Sequence, residues 1–184
     1  MSTAKVCRPE AVAWGRLGGP AAIRDLLALH KAKYDVVEHV PYIARRGASQ
    51  LLNQIRVALA QGTAAAPADP GPPPAKLILL VGHDGNLAQL RSLLGLHWSL
   101  EGSQPDDTPP GGALIFERLR DPQSGNRYVR VFFAAQSMDQ VRSLESLVGA
   151  GAVGPLIAVV PLPGCASAPL PALPRRAGRQ VCVP

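Results

Sequence analysis

The stretch that most constrains this chain is Lys76–Leu90. An apolar run of strand length, Leu77–Val81, ends at Gly82; His83 and Asp84 follow at once, and a helix-period pattern then begins with Leu87 and Leu90. The run lacks polar alternation, as expected of a strand covered on both faces. A strand that passes directly into a helix leaves its junction residues beside free backbone N–H groups, which favour anions. In open α/β sheets ligands gather beyond the carboxyl ends of the strands. The sequence therefore predicts an α/β fold with His83 and Asp84 at a junction suited to chemistry. By residue type alone, the pair reads more readily as a buried histidine beside a helix-capping aspartate.

Composition narrows the class of partner. At 184 residues and 47% hydrophobic content the chain is long enough for one domain with a core. Pro (19) and Gly (18) make up about a fifth of it, which implies a globular body interrupted by loops and also fits a biased genome. A net charge of +6 raises the question of nucleic acid, but the arginines are scattered and no basic helix or aromatic-basic motif appears, so no nucleic-acid partner is expected. The same charge suits a protein that handles anionic phosphate. No run approaches the ~20 apolar residues of a membrane span, so no membrane partner is expected. Cys7, Cys165 and Cys182 fit no metal spacing. Cys165 and Cys182 could pair in an oxidising compartment, leaving Cys7 over. The first residues hold no apolar core of a signal peptide.

Along the chain, residues 1–18 read as an irregular lead-in. A helix is predicted from about Pro20 to Tyr34 with Ile23, Leu26, Leu27 and His30 at helical spacing, and a second from Pro41 to about Ala60 with Leu51, Leu52, Ile55 and Leu59 inward. Residues 62–75 form a Pro/Ala-rich loop. The helix after Asp84 ends near Gly95. Glu101–Gly112 is a long loop, and Ala113–Leu119 and Arg127–Ala134 are two strands of an antiparallel hairpin. Ser137 and Gln140 have the spacing of a capping box that opens a short helix with Met138, Val141 and Leu144 inward. Leu156–Val160 is a last strand, and residues 161–184 are expected as an extended tail.

The run Gly82–Leu119 (GHDGNLAQLRSLLGLHWSLEGSQPDDTPPGGALIFERL) resembles the carboxy-terminal part of the histidine acid phosphatases, within the histidine phosphatase superfamily. Its nearest branch is that of the bacterial periplasmic phytases and glucose-1-phosphatases. The marks are His83, Asp84 and Asn86, then Trp98, then Pro105, Asp106, Thr108, Pro109, Pro110, Gly111 and Gly112, then Phe116, Glu117 and Arg118. Fainter similarity runs through Trp14-Gly15-Arg16, Leu29-His30 and Pro41–Leu52, and downstream to Cys182.

The resemblance implies a partial histidine-phosphatase (phosphoglycerate-mutase-like) domain, a sheet flanked by helices, with residues 1–184 as its carboxy-terminal portion. It implies hydrolysis of phosphomonoesters at acidic pH, with phytate or a sugar phosphate as substrate and no metal or organic cofactor. In the family a histidine in an Arg-His-Gly-x-Arg-x-Pro motif attacks phosphorus and arginines cradle the phosphate. By carry-over, His83 is a phosphate ligand and Asp84 is the general acid that protonates the leaving alcohol. A placed proton donor contributes ~10²–10⁴-fold to such a step. No Arg-His-Gly occurs in these 184 residues, whose histidines are His30, His39, His83 and His97. The expected partner is therefore the amino-terminal half of the same domain, and the parent protein is expected in the periplasm or secreted. The competing expectation is an inactive remnant that binds phosphate without chemistry. A metal-dependent His-Asp phosphohydrolase would need further His and Asp ligands on helices, and is set aside because this pair follows a strand. Glu10 could touch substrate by family position, although a bland role is favoured. Arg45 and Arg46 are read as a solvated helix face, His39 as exposed, and His30, His97, Trp14 and Trp98 as packing residues.

Overall fold

The computed structural model describes residues 16, 20–63, 71–100, 103–144, 147, 156–160 and 181–182. Among the described residues eight elements follow in chain order: α1 (Pro20–Val37), α2 (Pro41–Ala60), α3 (Asp84–Leu94), β1 (Ala113–Arg120), β2 (Arg127–Ala135), α4 (Met138–Ser143), β3 (Leu156–Val160) and β4 (Val181–Cys182). Helices and sheet together make the mixed α/β body that the sequence predicts. Pro41 starts α2 at its first position, where a missing N–H costs nothing, and the preceding Val40 is extended as a residue before proline must be. Gly95 closes α3 in the left-handed region at φ 59°, which releases the chain into the next segment.

The sheet is antiparallel, in the order β1-β2-β3, with β4 also paired to β2. The β1–β2 hairpin turns at Asp121–Asn126. There the Asp121 carboxylate accepts the Gln123 N–H at 2.9 Å and the backbone closes through Asp121 N–H to Asn126 O at 2.8 Å. Along β2 the side chains of Val129, Val131, Phe133 and Ala135 are all buried, the period of two that a half-covered sheet imposes. They pack against Leu96, Trp98 and Leu100, with Leu59, Leu87, Leu94, Leu114 and Phe116 around them. Trp98 stacks on Phe133 with centroids 4.3 Å apart and planes 9° from parallel. This one cluster ties the end of α3 to the hairpin.

Three expectations about the elements need correction. Leu77–Val81 is not a strand: among the described residues it pairs with nothing, and Leu77, Leu79 and Val81 are 86%, 81% and 90% exposed. A strand exists only through its neighbours, so apolar content without a partner does not make one. In α1, which forms as expected, Leu26, Leu27 and Leu29 are exposed and Tyr34 is buried. In α4 the capping box forms, with Ser137 Oγ accepting the Gln140 N–H at 3.1 Å, but Met138, Val141 and Leu144 are exposed and Gln140 is buried. Finally, the tail is not coil throughout, because Val181–Cys182 adds to β2; Cys7, Cys165 and most of the tail lie outside the described residues.

Candidate functional site

His83 is the N-cap of α3, with extended backbone at φ −110° and ψ 168°, and Asp84 is the first helical residue. The capping aspartate expected from residue type is thus displaced by one position. Asn86 folds back so that its Oδ1 accepts the His83 backbone N–H at 2.8 Å. Gly82 leaves room for that fold, since a Cβ there would lie 2.8 Å from Asn86 Oδ1. Asn86 therefore fixes the turn on which His83 stands. Both His83 and Asp84 are exposed at the helix head, so both are open to a solute.

The Asp84 carboxylate is held at both oxygens. Oδ1 accepts the Gly85 N–H at 2.8 Å, and Oδ2 accepts a short hydrogen bond from the hydroxyl of Tyr34, fifty residues away on α1. That phenol bond holds the carboxyl below the usual carboxylate range, against the upward push of burial and with help from Gly85, His83 and Lys33. The phenol responds in the opposite sense: burial and the Asp84 bond push Tyr34 up to about 12. The same end of α1 docks on α3 at two further points. Gln89 Nε2 donates to Glu38 Oε2 at 2.7 Å, and Ser92 Oγ donates to the His39 carbonyl at 2.9 Å. His30 packs against the Tyr34 ring with centroids 4.6 Å apart and is itself exposed, so it lies beside the core and not within it.

The loop from Ser103 to Gly112 forms the opposite wall. Asp106, in the left-handed region at φ 62°, is its anchor. Its Oδ1 accepts the Trp98 N–H at 2.9 Å, while Oδ2 accepts Arg91 at 2.6 Å and contacts His97 Nδ1 at 3.0 Å. Burial raises the Asp106 carboxyl, but Trp98, His97 and Arg91 outweigh it and hold the group below its ordinary range. His97 is exposed, with 72% of its side chain open, so it too lies outside the core. Trp98 Nε1 donates to the Asp107 carbonyl at 2.8 Å, which continues the anchoring by one residue. Burial pushes the Asp107 carboxyl up, opposed by the Thr108 N–H and His30. Between this loop and α1 is a shallow pocket lined by Leu27, His30, Tyr34, His39, Gln104 and Asp107 among others.

The remaining marked residues are structural. Phe116 packs on the core, Glu117 pairs with Arg130 at 2.6 Å, and Arg118 Nη1 donates to the carbonyls of Leu59 and Gln61 at 2.8 and 2.6 Å. Arg45 and Arg46 are exposed on α2, and Arg46 lies over the Tyr42 ring at 4.7 Å. His39 is more enclosed than expected, with Nδ1 2.9 Å from Asp35 and 13% of its side chain open. Glu10 and Trp14 lie outside the described residues. Among the described residues, no three His, Cys, Asp or Glu side chains converge as metal ligands would. Sequence reasoning missed Tyr34. Its only signal was a helix position one turn after His30, which points to a shared face and not to a partner fifty residues on.

Comparison with known proteins gives concordant matches. The family model described as histidine phosphatase superfamily (branch 2) matches residues 21–134. Phytase AppA of Escherichia coli (strain K12) is 37% identical over 143 residues, covering 73% of this chain and 31% of its own length. Glucose-1-phosphatase of Providencia rettgeri is 32% identical over 136 residues, covering 72% of this chain and 30% of its own. The crystal structure of Klebsiella sp ASR1 phytase superposes with a TM-score of 0.73 at 31% identity, covering 96% of this chain and 40% of that one. The chain thus spans about a third of the length of the curated relatives it matches.

Proposed function

The chain belongs to the histidine phosphatase superfamily, branch 2, and on that premise we propose that it carries the proton-donor side of an acid phosphatase-type site for phosphomonoesters. We assign His83 as a phosphate ligand and Asp84 as the general acid, in the carboxy-terminal portion of one domain. The observation that carries this reading is the pairing of the two side chains at the open head of α3, with Asp84 oriented through both oxygens. A phosphate beside them would lie at the positive end of the α3 dipole. Its negative charge would disfavour the neighbouring carboxylate and drive a proton onto Asp84. The bound substrate would thus load the acid that its own leaving alcohol requires.

The proposed substrate class, inositol phosphates or sugar phosphates, follows from the phytase and glucose-1-phosphatase similarity; a periplasmic or secreted place for the parent protein is proposed from the sequence resemblance. A histidine nucleophile in the family's motif is not among the 184 residues, so turnover requires a further segment of the domain. A second reading has the same basis: these residues bind phosphate without chemistry. Both are tested by titrating the chain with inorganic phosphate, followed by amide NMR, together with hydrolysis of p-nitrophenyl phosphate at acidic pH. We expect shifts at His83, Asp84 and Gly85, their loss in His83→Ala, and no turnover. An absence of shifts at the head of α3 sinks the site. Turnover by these residues alone would overturn the assignment of the nucleophile to another segment.

A further inference from the structure

We propose that Tyr34 is a positioning residue for Asp84, fixing the plane of its carboxyl and stabilising its ionised form from the far side of the α1–α3 contact. The inference rests on the reading of Asp84 as the proton donor and adds a residue to that site. Three observations support it. Tyr34 is the one buried residue among the α1 side chains whose exposure is described, although α1 is rich in exposed leucine and valine. Its hydroxyl is directed at Asp84 Oδ2, with the Thr108 side chain facing the same hydroxyl from the loop wall. The ring is held in place by its neighbours: His30 packs against it with its plane tilted by 38°, and Lys33 Nζ sits 5.1 Å from its centroid. The Tyr34 carbonyl accepts the N–H groups of Glu38 and His39 at 2.8 and 3.0 Å, so the backbone behind the ring is fixed as well.

The consequence for chemistry is directional. With Oδ1 taken by the Gly85 N–H and Oδ2 by the phenol, the carboxyl plane is set and a proton must occupy a remaining lone pair. The charged groups facing Asp84 are His83 on its own element and Lys33 on α1, while Glu38 opposes them through Tyr34. A donor bond to the ionised form strengthens the acid. Such an acid gives up its proton more readily once an alkoxide begins to form. The phenol, pushed up to about 12, keeps its own proton over the whole acidic range and so always donates.

The test is a carbon-13 NMR titration of the Asp84 carboxyl in the 184-residue chain and in Tyr34→Phe, which keeps the buried ring. We expect the Asp84 midpoint to move upward in the variant; an unmoved or lower midpoint overturns the proposal. The reciprocal variant, Asp84→Asn, covers the case in which Tyr34→Phe does not fold. There the Tyr34 midpoint must fall below about 12, with burial still holding it above the ordinary value of about 10, and a midpoint that does not move overturns the proposal. Inorganic phosphate separates the two layers. If phosphate shifts the head of α3 while the Asp84 midpoint ignores Tyr34→Phe, this inference fails and the site stands. If phosphate shifts nothing, the site reading fails whatever the titration gives.

Discussion

Asp106 shows at the scale of single residues how this site is supported from behind. It receives a backbone N–H, a guanidinium and an imidazole, and its Arg91 partner is buried. Removing the carboxylate strands that cation, and breaking such a pair costs about 3 kcal/mol. Asp106→Ala is therefore expected to lower the denaturant midpoint by a matching amount, with Arg91→Met losing less because the carboxylate keeps the Trp98 N–H and the His97 contact. The pH dependence has a definite sign. A carboxyl held below its ordinary value contributes stability that is present above about pH 4 and is lost as pH falls through the folded value. Acid unfolding monitored at Trp98 should be shallower in the Ala variant. Asp106 was legible as a motif residue from the sequence, and so were His83 and Asp84. Its anchoring role was not, because a carboxylate's partners are fixed by how Arg91 and Trp98 come together in space. Tyr34 was illegible for the same reason.

Elements defined by local chemistry were legible almost to the residue. Pro41, the Ser137–Gln140 box and Gly95 each carry a backbone reason to start or stop a helix, and α2, α4 and α3 obey them. Gly95→Ala would force a Cβ into the left-handed region, and the expected loss is about 1 kcal/mol, read as a lower thermal midpoint. Ser137→Ala should cost about as much through its lost cap. The hairpin was legible too, because Asp121–Asn126 has its own turn chemistry. Leu77–Val81 and the inward face of α4 were misread. Their hydrophobicity is real, but which way it points depends on what packs against it, and that information is absent from a local window.

For the whole molecule, the apolar stretch before the site is the feature with the widest consequence. Leu77, Leu79 and Val81 stand open directly ahead of His83. Exposed apolar chain of strand length is a template for pairing with other chains. The 184-residue chain is expected to self-associate as concentration rises, and Leu79→Lys should reduce that association in light scattering without disturbing the Trp98–Phe133 stack. A sharp, reversible thermal transition of a monomer would count against this. As proposed, the head of α3 holds phosphate and the bound anion loads the acid. The most direct test is the Asp84 carboxyl midpoint, followed by carbon-13 NMR with and without saturating inorganic phosphate. A higher midpoint is expected with phosphate, since a neighbouring anion disfavours the carboxylate. A midpoint that stays put or falls would contradict the proposal.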